Sequence, residues 1–212
     1  VFVSSIAVHG LTDADRPVGP DCLVAPNSAY GVAKLEAERG LSALATRTGI
    51  EVVVVRPALV CGPRAPGNPA KLARAVAAGL PLPLGRLDNR RSLIDVDDLA
   101  DLLLRCVDAD AAAGHTYMAG DPDALSTTEI VMQIAAGLEK PARLLPCPKR
   151  ALRLLGSLTG HGRMIRQLTG TLTVDPQACI DQLGWTPAVG VRASLRALGA
   201  RQREQGTVRS RN

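Results

Sequence analysis

The chain has 212 residues, enough for one large or two small domains, and 46% of them are hydrophobic, so it can bury a sizeable core. The net charge of +5 is small and lies largely in residues 201–212, and aromatic residues make up only 2%. A weak charge and few aromatic rings for base stacking argue against a nucleic-acid partner.

Five cysteines occur, an odd number with no CxxC pair, which argues against a disulfide framework and against a structural zinc site. His115 and His161 likewise have no partners at metal-ligand spacing, so no metal is predicted. The sequence shows no signal peptide and no apolar run of about 18 residues, which predicts a soluble, cytoplasmic protein without membrane contact.

The chain opens with a predicted α/β unit. Residues 1–5 are apolar, end in two serines and predict a buried strand. After a Pro- and Gly-rich loop, Asn27 or Ser28 can cap a helix that ends near Thr48. "EVVVVRP" at 51–57 is typical of a strand buried on both faces. Strand, helix and strand in this order predict a parallel pair, half of a doubly wound sheet.

The later part of the chain alternates loops and short elements. The prediction is a helix at 70–79, an extended segment at 80–85, a strand at 90–96, a helix at 97–110, a strand at 115–120, a helix from the "STTE" capping box at 126–129 to Lys140, helices near 149–158 and 175–183, and a disordered tail at 201–212.

The helix that begins near Ser28 carries a possible proton-transfer pair. Tyr30 and Lys34 are spaced i and i+4, so they are neighbours on the helix surface. A phenol is a poor base at neutral pH, but a neighbouring ammonium favours the phenolate form. Ser5 and Pro57 end the two strands, and ligands gather at the carboxyl ends of parallel strands. An amphipathic helix with an exposed lysine is the plainer interpretation of the same spacing.

Four segments together resemble a known family. "VSSIAVHG", "YGVAKLEAE", "RPALVCGP" and "RRSLIDVDDLADLL" are similar to the extended short-chain dehydrogenase/reductases, the NAD-dependent epimerase/dehydratase family, and most of all to UDP-hexose 4-epimerases and nucleotide-sugar 4-reductases. The resemblance runs from Val1 to about Val191. It implies the C-terminal part of a Rossmann-like doubly wound parallel sheet, formed by 1–65 and partly by 92–119, plus a smaller α/β substrate-binding domain at 66–91 and 120–200.

The resemblance also implies that this is the C-terminal part of a longer protein. No Gly-rich strand-to-helix loop is found, and the chain starts "VFVSS" without Met. Roughly a hundred N-terminal residues are expected upstream, about one Rossmann half, and the chain alone is expected to be inactive. The implied cofactor is NAD. NADP stays open, because the acidic residue that selects between them would lie upstream.

Residue roles follow from the same resemblance. Tyr30 is the acid/base, Lys34 binds the nicotinamide ribose and favours the tyrosine's phenolate form, and Ser5 orients the sugar hydroxyl. The nicotinamide is lined by Ser4, Pro57, Ala58 and Val60. The UDP-sugar substrate is contacted by Asn68 near the diphosphate, Leu82 and Leu84 around the uracil, and Arg91 and Arg166 on the phosphates.

Three positions depart from the family pattern. His9 and Cys61 replace tyrosines of the family's "VYG" and "VYGP" motifs, and Leu59 replaces a common asparagine. These changes leave room for a deoxy or N-acetyl sugar. The open alternatives to a 4-epimerase are a 4-reductase or dehydrogenase, a steroid- or flavonoid-type reductase, and a non-catalytic NAD-sensing protein. A homodimer formed through the Tyr30 helix is implied for the complete protein.

Overall fold

The computed structural model describes residues 1–158, 160 and 162–209; His161 and the end of the predicted disordered tail, 210–212, lie outside the described residues. The strands are β1 (Phe2–Val3), β2 (Val54–Pro57), β3 (Leu59–Cys61), β4 (Leu93–Asp95) and β5 (Thr116–Ala119). The helices are α1 (Ala29–Thr48), α2 (Asn68–Ala77), α3 (Val96–Asp108), α4 (Thr127–Leu138), α5 (Lys149–Leu158), α6 (Gly162–Thr169), α7 (Gln177–Leu183) and α8 (Val191–Arg209). The α/β class is therefore confirmed.

The first sheet has the strand order β1-β2-β5, with all neighbours parallel. Val54 pairs with Phe2 on one side and with Thr116 on the other. The carboxyl ends of the three strands therefore meet at one edge, where Ser4, Ala58 and Gly120 follow β1, β2 and β5.

A second sheet of two parallel strands pairs Leu59 with Leu93 and Cys61 with Asp95. Only Ala58 separates β2 from β3, and its amide still donates to the Ala119 carbonyl at 2.8 Å. The chain thus passes from one sheet to the other within one residue. The predicted strand ends at Pro57, and the sequence does not predict β3.

Two main cores lie on either side of this crossing. The first covers the three-stranded sheet and includes Val55, Leu102 and the fully buried Trp185. The second is built mostly by helices α2, α4 and α8, and Ile134 and Leu195 are buried at its centre. The predicted division into two domains stays a prediction.

Most predicted elements are confirmed, with shifted ends. Ser28 caps α1, accepting a hydrogen bond from the Gly31 amide at 3.2 Å, and Ser126 and Glu129 form the predicted capping box of α4. Helices α6 and α8 are not predicted by the sequence. Helix α8 continues to Arg209, through most of the segment predicted to be disordered.

Helices α4 and α8 cross at two glycines. A Cβ atom on Gly199 would lie 2.2 Å from the Ile134 carbonyl oxygen, and one on Gly137 would lie 1.9 Å from that of Arg196. Real Cβ atoms do not approach backbone oxygen so closely, so the crossing requires glycine at both positions.

Gly199→Ala should therefore push α8 away from α4 and lower the free energy of unfolding by about 1–3 kcal/mol, the usual cost of overpacking a core. Urea denaturation measures this change. Gly206→Ala is the matched control on the same helix, since a Cβ there meets nothing within 4 Å. Alanine favours a helix over glycine by about 1 kcal/mol, so the control variant should be slightly more stable, and equal destabilisation of both variants would contradict the close crossing.

None of the described helices is long and apolar enough to cross a membrane. The five cysteines are free thiols, and Cys61, Cys106 and Cys179 are buried. Burial raises the pKa of the Cys61 thiol to about 11, and its Sγ donates to the Ile94 carbonyl at 3.3 Å. Cys61 therefore packs the second core as a neutral thiol.

Candidate active site

The predicted serine lies at the end of β1, at the start of a tight turn. Ser5 caps a short 3-10 turn, Ile6–His9, and its Oγ accepts from the Ala7 amide at 3.1 Å. The hydroxyl hydrogen of Ser5 takes no part in this bond, so Ser5 can still donate a hydrogen bond to another acceptor. The turn therefore holds Ser5 at the carboxyl edge of the three-stranded sheet.

Helix α1 approaches this turn at its first residues. A Cβ atom on Gly31 would lie 2.6 Å from the Ala7 carbonyl oxygen and 3.0 Å from the Pro26 side chain. Only glycine permits this approach. Gly31 therefore allows the first turn of α1 to pack directly against the 3-10 turn that carries Ser5.

Lys34 connects the helix to the end of β1. Its Nζ donates to the Val3 carbonyl at 2.9 Å and lies 5.1 Å from the centroid of the Phe2 ring and 5.8 Å from that of Tyr30. The ammonium is thus held between the strand and the tyrosine ring, within cation–π range of both rings. Tyr30 itself is 57% exposed, which suits a side chain that meets a ligand.

A cleft of about 530 Å³ opens above these residues. Its wall contains eight of the twelve predicted site residues: Ser4, Ser5, Tyr30, Pro57, Ala58, Val60, Asn68 and Arg91. The structure therefore brings the predicted nicotinamide-lining residues and part of the predicted substrate set to one concave surface, between the two sheets. Lys34 lies beside the cleft, behind Tyr30.

Three predicted substrate residues lie elsewhere. Leu84 is buried in the helical core, and Leu82 packs against the same core, where its backbone pairs with Leu144. The prolines that flank Leu82 prevent a regular strand there, and the segment turns inward to fill the core. Arg166 lines a separate cavity with Asp13 and Arg153. None of the three residues lines the cleft, so their predicted uracil and phosphate contacts are not supported by this placement.

Helix α6 supplies cleft residues that the sequence does not predict. Arg163 and Gln167, one turn apart, line the cleft, whereas Arg166 lies on the neighbouring face of the helix. The sequence signal is the i, i+4 spacing itself, but it becomes visible only once α6 is known to be a helix.

Arg91 lies deep in the cleft wall. Its Nη1 donates to the Gln167 carbonyl at 2.8 Å and to the Gly170 carbonyl at 3.3 Å. Burial lowers the pKa of the Arg91 guanidinium, and nearby Asp13 opposes this effect. An arginine orientated by backbone carbonyls presents a fixed cation to an anionic ligand.

A buried trio of His9, Glu38 and Arg56 joins the 3-10 turn, α1 and β2. Arg56 forms a two-pronged pair with Glu38, Nε to Oε1 at 3.0 Å and Nη2 to Oε2 at 2.7 Å. Its Nη1 lies 3.3 Å from Nε2 of His9. The sequence contains one signal for this trio, because Tyr30, Lys34 and Glu38 recur every four residues and therefore share one face of α1.

Protonation of the trio follows from burial and charge. Burial raises the pKa of Glu38, but hydrogen bonds and charge from Arg56 outweigh it, and the pKa lies below its ordinary value. Burial lowers the pKa of His9, with Arg56 acting in the same direction and the Leu23 carbonyl against it. At neutral pH the trio is therefore a carboxylate, a guanidinium and a neutral imidazole.

This arrangement predicts a loss of stability in mild acid. His9 has a lower pKa in the fold than its ordinary 6.5, so the unfolded chain binds the proton more readily. The free energy of unfolding should be fully retained above pH 6.5 and should fall as the pH drops from 6.5 through the folded-state pKa. Urea denaturation from pH 7.5 to 5 measures this slope. His9→Gln should flatten the slope, whereas His115→Gln, on an exposed histidine, should keep it; a slope unchanged in His9→Gln would contradict the assignment.

The fold and the cleft define a class of protein. The model of the NAD dependent epimerase/dehydratase family matches residues 1–120. The chain is 40% identical over 189 residues to a UDP-glucose 4-epimerase of Vibrio cholerae, with 88% of this chain and 58% of the relative covered. This chain belongs to the NAD dependent epimerase/dehydratase family.

Two further comparisons extend this result. The chain is 27% identical over 169 residues to the N-acetyl-alpha-D-glucosaminyl-diphospho-ditrans,octacis-undecaprenol 4-epimerase of Escherichia coli O157:H7, covering 76% of this chain and 47% of that protein. Among solved structures, UDP-glucuronic acid 4-epimerase from Bacillus cereus in complex with NAD superimposes with a TM-score of 0.75 at 19% identity, over 96% of this chain and 60% of that one. The chain thus spans about half the length of these two curated relatives.

Proposed function

We propose that the protein is an NAD-dependent nucleotide-sugar 4-epimerase acting on a UDP-hexose. The proposal rests on the cleft that Ser5 and Tyr30 line together. Lys34 is held near them by the hydrogen bond that its Nζ donates to the Val3 carbonyl. The 40% identity to a UDP-glucose 4-epimerase supports the substrate class.

The residues of the cleft fit a nicotinamide. Pro57, Ala58 and Val60 give an apolar wall at the carboxyl ends of β2 and β3, which suits a flat ring. Ser4 Oγ is buried and has no hydrogen-bond partner in the described part of the chain; the Glu38 carboxylate is close to it without meeting hydrogen-bond geometry. A carboxamide group would satisfy this hydroxyl. Bound NAD would accept hydride from the sugar and return it.

The chain's own groups handle the proton and the orientation. Tyr30 takes the proton of the sugar 4-hydroxyl when the carbon is oxidised and gives it back when the carbon is reduced. Ser5 donates to the same sugar oxygen and fixes its direction. Lys34 has three N–H donors, one of which goes to Val3; another binds a ribose hydroxyl, and the positive charge favours the phenolate.

We propose that the substrate diphosphate binds in the part of the cleft nearest the second sheet. Asn68 and Arg91 border this part of the cleft, and Arg163 adds an exposed cation. Arginine and amide groups bind phosphate oxygens directly. The E. coli relative acts, by its name, on a sugar carried by a lipid diphosphate. Both kinds of substrate present a hexose on a diphosphate, so both belong in the test.

The test supplies the full-length protein that contains this chain with NAD and, separately, UDP-glucose, UDP-N-acetylglucosamine and a polyprenyl-diphosphate N-acetylglucosamine. The expected result is the 4-epimer of a UDP-sugar without net NADH. Net NADH would instead identify a dehydrogenase, and turnover of the lipid-linked sugar alone would overturn the UDP assignment. Cofactor binding without turnover of any sugar would favour the non-catalytic, NAD-sensing alternative.

A further inference from the structure

We infer that the buried trio, His9, Glu38 and Arg56, are positioning residues that fix Ser5 relative to Tyr30 and Lys34. The inference rests on the proposed function for its catalytic meaning. Its structural content, a fixed geometry of the Ser5 turn, can be measured without turnover.

Each member of the trio lies on an element that carries a site residue. His9 ends the 3-10 turn that Ser5 begins. Glu38 lies one helical turn beyond Lys34 on the same face of α1. Arg56 lies in β2, next to the cleft residue Pro57. Hydrogen bonds within the trio therefore join the turn, the helix and the strand at one point.

The geometry of the trio is restrictive. The planar guanidinium of Arg56 meets both oxygens of Glu38, which fixes the rotation of the helix as well as its distance from the strand. The remaining nitrogen, Nη1, contacts His9 and donates to the Pro20 carbonyl at 3.0 Å. All three side chains are less than 10% exposed. A buried ion pair adds little net stability, because the cost of desolvating both charges offsets their attraction. Its geometry nevertheless restricts α1 and β2 to one relative arrangement.

The imidazole of His9 is satisfied in one protonation state. Nδ1 lies 3.1 Å from the Leu23 carbonyl and must carry a hydrogen to donate, whereas Nε2 must be bare to accept from Arg56. The neutral Nδ1–H tautomer meets both conditions. The charged and polar groups around the ring are Arg56 from β2, Glu38 from α1 and the Leu23 and Cys22 carbonyls from the loop. Protonation would place two cations side by side and release the turn.

A second contact already joins the turn to the helix near Tyr30. The close approach of Gly31 to the Ala7 carbonyl holds the first turn of α1. The trio acts two helical turns further along, at Glu38. Two separated contacts are needed to prevent α1 from pivoting, which would swing Tyr30 away from Ser5. Misplacement by about 1 Å can cost a catalytic group a hundredfold in rate.

The experiment compares His9→Phe and Arg56→Lys with Asp98→Asn. Phenylalanine keeps ring volume but has no polar nitrogens, and lysine keeps the charge but not the fork. Asp98 is a matched buried carboxylate, 2% exposed, that accepts from three backbone amides at 188–190. Among the described residues it has no hydrogen bond to the trio. All three variants should lower the melting temperature.

Two measurements then separate positioning from stability. Hydrogen exchange of the Ala7 amide, which is bonded to Ser5 Oγ, should be at least tenfold faster in His9→Phe and Arg56→Lys and unchanged in Asp98→Asn. In the full-length protein, kcat should fall about 10- to 100-fold in the first two variants with KM within twofold. The loss of kcat in acid should be smaller in His9→Phe than in the wild type, because protonation of His9 no longer contributes to it.

The inference is overturned if the Ala7 amide exchanges at the wild-type rate in both trio variants, or if Asp98→Asn speeds it equally. If His9→Phe does not fold, two other measurements test the inference. One is exchange of the Ala7 amide in Arg56→Lys, and the other is its exchange in the wild type between pH 7.5 and 5. A full-length wild-type protein without epimerase activity would refute the proposed function alone, because the exchange of the Ala7 amide is measured without turnover.

Discussion

Tyr30→Phe should lower kcat by about 10²- to 10⁴-fold, the range that a positioned acid/base group contributes. The ring stays, so the cation–π contact with Lys34 and the packing of the exposed side chain are retained. Only the hydroxyl that moves the proton is removed. The measurement is steady-state epimerisation of the preferred sugar, together with NAD binding followed by fluorescence, which should change less than twofold.

The chain offers a natural control, because it has only two tyrosines. Tyr117 is buried in β5, and its hydroxyl donates to the Gln182 side chain at 2.9 Å, away from the cleft. Tyr117→Phe removes the same atom and should leave kcat unchanged while lowering stability by about 1 kcal/mol, the net worth of a hydrogen bond. Turnover at the wild-type rate in Tyr30→Phe would remove Tyr30 from its role.

Glu38→Ala should lower the free energy of unfolding by about 3–5 kcal/mol. The substitution leaves the Arg56 guanidinium buried without its carboxylate, and an uncompensated buried charge is far more costly than the lost attraction. Arg56 is 7% exposed, so bulk water solvates its guanidinium poorly once the carboxylate is gone. Urea denaturation at neutral pH measures the change.

An exposed pair provides the comparison. Asp101 and Arg105 form an i, i+4 ion pair on α3 with N–O distance 2.9 Å, and both side chains are more than 40% exposed. Asp101→Ala should cost less than about 1 kcal/mol, because solvent screens exposed pairs. Similar losses in Asp101→Ala and Glu38→Ala would show that burial of Arg56 does not govern the result.

The sheet and its edge could be predicted from the sequence because their signals are local. Val52–Val55 is a β-branched run that only a buried strand uses well, and Ser28, Ser126 and Glu129 occupy cap positions with a defined geometry. Helix α8 could not be recognised in this way. Its charged second half favoured a solvated tail, and its Gly199 lowers helix propensity although the crossing with α4 requires it.

The site was predictable where chemistry and spacing coincide. The sequence alone shows the i, i+4 spacing of Tyr30 and Lys34 and the position of Ser5 at the end of a strand. Arg163 and the trio depend on which helix face meets which strand, which the sequence does not specify. The family resemblance assigns Leu82 and Leu84 to the uracil. In the structure Leu84 is buried in the helical core and Leu82 packs against it, so their contact with a ligand stays a prediction. The predicted homodimer stays a prediction.

The close approach at Gly31 limits how this protein can be altered. Any side chain at this position would collide with the backbone of the Ser5 turn, whatever sugar occupies the cleft. Randomised libraries aimed at new sugar preferences can therefore vary exposed positions that line the cleft, such as Leu11, which is 42% exposed. Codons for position 31 are best left fixed, since clones that change them will be inactive for reasons unrelated to the substrate.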